Sequence, residues 1–163
     1  MAQRRRQLRW YERPLESFAR SKPGGWYFVN VAMRIDRVLL PLSGGRLSSG
    51  FGQQVGLLGT VGAKSGERRS TPLLYLTDGD HIVLIASKAG AAKHPAWLHN
   101  LRANREVTFL APGGRSGDYL AREAKGDERG RLWADAVDYY AGYADYAVRA
   151  GSRQIPVVVL ERA

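Results

Sequence analysis

Residues 55–86 read VGLLGTVGAKSGERRSTPLLYLTDGDHIVLIA, and their pattern decides the fold. Three apolar runs, Val55 to Val61, Thr71 to Thr77 and His81 to Ala86, are parted by a polar glycine loop and by Asp78-Gly79-Asp80. Runs of this length, rich in Val, Ile, Leu and Thr and bounded by turn residues, read as strands. Asp-Gly between the second and third is a hairpin signal, because glycine takes the positive φ that a tight turn needs. The runs lack the apolar–polar alternation of a sheet with one wet face. Both faces are therefore expected to be buried, as in a small closed or half-closed barrel.

Downstream, Pro95 to Asn104 reads as a short helix with proline near its first turn and Trp97, Leu98 and Leu101 on one side. Glu106 to Ala111 and Tyr119 to Ala124 form a second hairpin around Pro112-Gly113-Gly114, a loop too long for a tight turn. Asp127 to Tyr140 is expected to be helical, and Ile155 to Leu160 to be a closing strand. Strands with a few interposed helices make an α+β domain. Tyr139, Tyr143 and Tyr146 fall near i, i+4 and i+7, with Tyr140 three before Tyr143, so they are expected to share a helix face.

Upstream, residues 1–50 separate from 51–163 by composition. Residues 1–9 read as a basic arm, and Trp26 to Leu40 as an amphipathic helix stopped by Pro41. Ser43-Gly44-Gly45 and Ser48-Ser49-Gly50 read as a flexible connector. A basic helix opening on Trp26, Tyr27 and Phe28 suits a lipid interface, where each nearby Lys or Arg adds about 1 kcal/mol against an anionic surface. It equally suits packing over one opening of the barrel, and the two roles are compatible.

A chain of 163 residues that is 44% hydrophobic can bury one good core. The absence of cysteine excludes a disulfide scaffold, a thiolate metal site and a cysteine nucleophile. Arg4-Arg5-Arg6 is followed by Gln7-Leu8-Arg9-Trp10 rather than by the apolar stretch of a secretory signal, and no apolar run approaches the roughly 18 residues of a spanning helix. A cytoplasmic protein, or one at the inner face of the membrane, is expected. The net charge of +10 is uneven: residues 1–50 hold 10 basic against 3 acidic side chains, while residues 111–163 hold 8 of each. No helix-turn-helix, zinc-finger or RNA-binding signature accompanies that charge, so nucleic acid is not an expected partner. His94 and His99 are five apart, a poor spacing for one helix face, and no metal site is expected. Asp127, Glu128, Asp135 and Asp138 read as helix-start and surface charges.

The chemistry concentrates in two loops, Gly62-Ala63-Lys64-Ser65-Gly66-Glu67-Arg68-Arg69 and Ser87-Lys88-Ala89-Gly90-Ala91-Ala92-Lys93-His94-Pro95, each after a strand. Glycine admits close backbone approach, lysine brings a point charge, arginine a planar fork, and small hydroxyls complete an anion cradle. A phosphate-binding P-loop is not meant, because Lys64 precedes the closing glycine and strand formers follow. By itself the first loop also reads as a solvated hairpin.

The order G-x-K-[ST]-G-x-x-R-x-x-P-L from Gly62 to Leu73, then A-S-K-x-G-x-x-x-H-P-x-W-x-x-N-L from Ala86 to Leu101, resembles the deazaflavin-dependent nitroreductase family. The resemblance covers roughly residues 55–160. It implies an FMN-binding-like split β-barrel that uses the reduced deazaflavin coenzyme F420, with peripheral helices and, here, an N-terminal helical extension. By matching position it implies cofactor contacts at Ala63, Lys64, Ser65, Arg69, Ser70, Thr71, Pro72, Leu73 and Leu74. Further contacts are implied at Ile85, Ala86, Ser87 and Lys88, and at Ala96, Trp97, Leu98, His99 and Asn100. Lys64, Arg68, Arg69, Lys88 and Lys93 suit the phosphodiester and glutamate tail of F420. Ser87 is the implied donor near the reactive ring. Tyr140, Tyr143 and Tyr146 match substrate-pocket tyrosines, with Ser87, Tyr140 and Tyr143 the candidate catalytic groups.

Two departures matter. Ala63-Lys64 stands where the commonest pattern has Arg-Lys, and Leu74 stands where the nitroimidazole-reducing member has a tyrosine. Phenol-bearing aromatic walls suit a flat acceptor such as a quinone or a nitroaromatic, and Leu74 tilts that expectation toward the quinone. An FMN-dependent split-barrel oxidoreductase and a non-catalytic carrier of F420 or lipid are the alternatives. The bias of 20 Arg against 5 Lys fits a GC-rich genome, as in the actinobacteria where F420 is common.

Overall fold

Strands β1 (Val55–Val61), β2 (Arg68–Asp78), β3 (His81–Ile85), β4 (Glu106–Leu110), β5 (Gly117–Glu123) and β6 (Val157–Arg162) close into an antiparallel barrel. Around it lie helices α1 (Met33–Leu42), α2 (Ala96–Ala103), α3 (Gly126–Tyr139) and α4 (Gly142–Ala150). This computed structural model describes residues 33–49 and 53–163. The expected basic arm, and Trp26, Tyr27 and Phe28, lie outside the described residues.

The strand order is β1-β2-β3-β6-β5-β4, and β1 closes the barrel by pairing with both β2 and β4. The unbroken apolar runs follow from alternation. Leu58, Tyr75, Ile82, Leu84, Val107, Phe109, Tyr119, Val158 and Leu160 form an inner core with Trp97, Leu98 and Leu101 of α2. Their strand neighbours Leu76, Val83, Ile85, Val157 and Val159 form a second core with Leu132 and Ala136 of α3 and Tyr143, Tyr146 and Ala150 of α4. Successive residues of a strand point to opposite faces; on β3 and β6 both faces are covered, whereas β4 and β5 leave Glu106, Thr108, Asp118 and Leu120 exposed.

α1 supplies the third layer. Leu40 is completely buried against Val55 and Leu57, with Leu74 and Leu110 packed around them.

Several boundaries differ from the sequence reading. β2 begins at Arg68 rather than Thr71, because its pairing with β1 runs on through Gly59↔Ser70, Thr60↔Arg69 and Val61↔Arg68. Ladder hydrogen bonds carry the strand past its apolar segment, so Arg69 and Ser70 stand on a strand and not in a loop. Pro41 does not stop α1, which runs to Leu42. A proline in the last turn removes only one hydrogen bond. Ser43-Gly44-Gly45 is a helix cap rather than a loose connector: Gly45 N–H donates to Leu40 C=O at 2.7 Å, and both glycines have positive φ. Ser49 N–H then donates to the buried Asp36 carboxylate at 2.6 Å. The tyrosines do not share one helix face either. α3 ends at Tyr139, Tyr140 is extended at φ −139° and ψ 102°, and α4 starts afresh at Gly142.

The inner core leaves one strand position no volume. A Cβ on Gly56 would lie 2.2 Å from Cζ of Phe109, whose ring meets Tyr75 edge-on at 5.3 Å. Gly56→Ala should therefore destabilise the barrel by about 1–3 kcal/mol, measured by urea unfolding. Adding Phe109→Leu should recover part of that loss, whereas independent, additive effects would show that the two positions do not compete for space.

Candidate functional site

The loop between β1 and β2 is closed by Gly62 N–H to Glu67 C=O and Gly66 N–H to Gly62 C=O, both at 2.8 Å. Asn100 of α2 holds it from the side. Its Oδ1 accepts from Ala63 N–H and its Nδ2 donates to the buried Thr60 hydroxyl, each at 3.1 Å. One side chain thus ties the first motif to the second. Lys64, Ser65, Arg68, Arg69 and Ser70 are exposed. Arg69 pairs with Glu67 at 2.5 Å, but both side chains are more than half exposed, so the pair contributes little to stability.

The second loop is bent far more tightly. Ile85, Ala86 and Ser87 are buried, and the chain then makes a short 3₁₀ turn, Lys88–Gly90, with Lys88 at φ 48°, Ala89 at 52° and Gly90 at 79°. A left-handed conformation costs a non-glycine residue roughly 1–2 kcal/mol. Two such residues in succession persist only when their surroundings over-determine them. Gly90 packs so closely on α4 that a Cβ there would lie 2.7 Å from Arg149 Cβ and 2.8 Å from the Tyr146 carbonyl oxygen. From the other side comes Arg153, whose Nε donates to Ala91 C=O at 2.9 Å and Nη2 to Ser87 C=O at 2.7 Å. Its Nη1 donates to Ala86 C=O and to His94 Nδ1, each at 3.2 Å.

That last bond assigns the state of His94. A guanidinium has donors only, so Nδ1 must be the acceptor and the ring is neutral with its proton on Nε2. Burial first, and then the positive charges of Arg102 and Arg153, hold the His94 pKa below the usual histidine range.

The third part is aromatic. Tyr140, Tyr143 and Tyr146 are buried against one another, with ring centroids 5.3 Å apart for Tyr140–Tyr143, 6.1 Å for Tyr140–Tyr146 and 6.2 Å for Tyr143–Tyr146. The hydroxyls of Tyr140 and Tyr146 lie 3.3 Å apart. Burial, reinforced by Tyr146, pushes the Tyr143 phenol far above the usual tyrosine range, so it stays protonated. Tyr139 accepts from Gln54 N–H at 2.8 Å, which fixes the end of α3 to the start of β1. Gln54 Oε1 is buried with no hydrogen-bond partner.

The structure brings Leu74, Ile85, Ala89, Tyr140, Tyr143 and Tyr146 into one cluster. It holds Ser87 and Lys88 beside that cluster, through the packing of the 3₁₀ turn on α4. Ala63, Lys64, Ser65, Arg69 and Ser70 stand apart at the exposed hairpin end, reached through Asn100. Thr71 and Leu73 are half-buried and Pro72 is buried. Trp97 and Leu98 are only 5% and 0% exposed and belong to the inner core, while Ala96 and His99 face solvent. Sequence reasoning gave no role to Arg153 or Gln54, and read His94 only as a motif residue and a poorly spaced metal ligand. Arg153 had no local signal, since Gly151-Ser152-Arg153-Gln154 reads as a polar turn; His94 and Gln54 reveal themselves only by their partners, or lack of one.

The model of a family described as F420H(2)-dependent quinone reductase matches residues 32–162. A Mycobacterium tuberculosis protein named F420H(2)-dependent quinone reductase is 41% identical over 108 residues, which is 65% of this chain and 72% of that protein. A solved structure described as an F420-H2 dependent reductase, FDR-A, is 38% identical with a TM-score of 0.59, over 66% of this chain and 93% of its own. Another, described as a domain-swapped dimer, is 32% identical with a TM-score of 0.61, over 86% of this chain and 100% of its own.

The neutral His94 generates a pH dependence. Its folded pKa lies below its unfolded value of about 6.5, so the unfolded chain binds the proton more readily. The stability it contributes is full above that value and is lost as pH falls toward the folded pKa. Urea midpoints measured from pH 7.5 down to 5.5 should fall, and less steeply in His94→Gln. Equal slopes for the two proteins would show that His94 is not held neutral.

Proposed function

The chain belongs to the F420H(2)-dependent quinone reductase family, and from that membership we propose that it reduces a quinone with reduced F420. The observation that carries the reading is the strained Lys88–Gly90 turn, held between Arg153 and α4, beside a wall of three buried tyrosines and Leu74.

The donor set fits the cofactor. Exposed Lys64, Arg68, Arg69, Lys88 and Lys93 supply charge for a phosphodiester and a glutamate tail, which need cations that water can reach. A flat ring with polar edges needs a drier place, and buried Ser87 opens the strained turn without making a side-chain cap hydrogen bond. The unpartnered Gln54 Oε1 is an acceptor in want of a donor. When bound, the reduced deazaflavin supplies a hydride at C5, so the protein needs no nucleophile of its own.

The protein's share is orientation, exclusion of water and protons. Tyr140, Tyr143 and Tyr146, packed edge to face, offer an apolar aromatic cluster with phenol donors. Tyr143 stays protonated and so hydrogen-bonds a carbonyl oxygen as it gains charge, without itself becoming a phenolate. Leu74 adds an apolar surface where a hydroxyl would favour a nitro group. A quinone therefore suits the pocket better than a nitroimidazole.

α1 supports a location at the inner face of the membrane. Ile35, Val38 and Leu42 are 42%, 58% and 81% exposed on a helix whose Leu40 is buried inward. Arg34, Arg37 and Arg46 are exposed alongside. Such a face suits an anionic lipid surface, where a lipophilic quinone resides. Among the described residues no helix is long and apolar enough to cross a membrane.

Fluorescence titration should show micromolar binding of F420 and none comparable for FMN. Lys64→Ala or Arg69→Ala should weaken F420 about ten- to a hundredfold, as expected for loss of a charge-assisted hydrogen bond. Wild-type affinity in both variants would dismiss the cationic cradle, and a preference for FMN would overturn the cofactor.

With reduced F420, menaquinone should be reduced faster than a nitroimidazole, and Val38→Glu with Leu42→Glu should slow turnover only when the quinone is embedded in anionic vesicles. Faster nitroimidazole reduction would overturn the acceptor. Binding of F420 without reoxidation by any quinone would make the protein a carrier.

A further inference from the structure

We propose that Arg153 is the positioning residue of the cofactor loop, its guanidinium stapling the two ends of the left-handed turn that carries Ser87 and Lys88. This rests on the cofactor site proposed above. Three of its bonds go to backbone carbonyls on either side of the turn: Ala86 at 3.2 Å and Ser87 at 2.7 Å before it, Ala91 at 2.9 Å after it. The fourth, to His94 Nδ1 at 3.2 Å, fixes the chain on its way into α2. Lys88 and Ala89 at φ 48° and 52° do not hold that shape on their own.

The placement of Arg153 is itself built in. α4 ends at Ala150, the following Gly151 turns the chain back at φ 62°, and Arg153 N–H returns to Ala150 C=O at 3.2 Å. Arg153 therefore projects from the end of the helix that carries Tyr143 and Tyr146. Gly90 is pressed against that same helix at the Tyr146 carbonyl. The loop expected to meet the cofactor and the wall expected to meet the acceptor are thus referred to one rigid element. A lysine lacks the planar fork and cannot span the three carbonyls at once.

The test compares wild type, Arg153→Lys and Arg153→Ala by three readouts. Amide hydrogen exchange of a peptide covering 86–92 should accelerate about tenfold or more in both variants, the expected loss of local protection when a charge-assisted clamp goes. Peptides from β3 and β6 should keep their wild-type protection. F420 affinity by fluorescence should weaken by a similar factor, with the KM for the quinone at saturating reduced F420 near the wild-type value. Millimolar guanidinium added to Arg153→Ala should restore part of the affinity.

Exchange accelerated throughout the barrel would make Arg153 a residue of the fold and overturn the proposal. Wild-type F420 affinity in Arg153→Lys, or unchanged exchange at 86–92, would overturn it while leaving the proposed function intact. A wild-type chain that binds no F420 would overturn both.

Discussion

The pairing of β1 with β4 is the contact on which the rest of this structure depends. It joins Leu57 to Leu110, Leu58 to Phe109 and Gly59 to Thr108, and so turns an open sheet into a barrel. Closure satisfies the backbone groups that a sheet edge would leave bare. It also gives every strand an inside and an outside. The inside is filled by strand side chains together with Trp97, Leu98 and Leu101 of α2, and the outside of β3 and β6 becomes the floor for α3 and α4. Without closure, the alternating apolar residues of those strands would have one covered face and one wet one.

The tyrosine part of the candidate site lies on that outer floor, while the β1–β2 loop stands apart at the exposed hairpin end. Three single side chains tie its parts together across long stretches of sequence: Asn100 to the β1–β2 loop, Arg153 to the turn after β3, and Tyr139 to the start of β1. Each ends on backbone groups, which places a loop more firmly than contact between two flexible side chains. The electrostatics divide in the same way. Lys64, Arg68, Arg69, Lys88 and Lys93 are exposed, while Tyr140, Tyr143 and Tyr146 are buried and burial holds the Tyr143 phenol protonated. The neutral His94 belongs to the second group, lying between Arg102 and Arg153, which repel a third positive charge.

Much of the fold was legible because it rests on local pattern. β1 runs from Val55 to Val61 as its apolar segment does, and the Asp78-Gly79-Asp80 turn lies where its glycine demands. The α+β barrel class followed from strands that are apolar on both faces. Errors fell where a partner distant in sequence takes over. β1 draws Arg68 to Ser70 into β2 by pairing with them. The glycines after α1 cap that helix, and Gly45 is pressed against the backbone of Ala111 and Pro112, so they are not a loose connector. An extended Tyr140 splits what periodicity reads as one helix, and the tyrosines meet by the folding of α4 against α3 rather than along one helix face.

The sequence by itself determined the barrel, the two polar loops and the residue types around them, since strand periodicity, turn glycines and charge are properties of neighbouring residues. Only the tertiary structure decided that Trp97 and Leu98 serve the inner core and that Leu74 joins the tyrosine wall. It alone decided that Arg153 reaches back across more than sixty residues, from 153 to 87, to hold Ser87. A guanidinium takes its role from whichever carbonyls the fold brings within about 3 Å of it, and those carbonyls leave no mark on the sequence around Arg153.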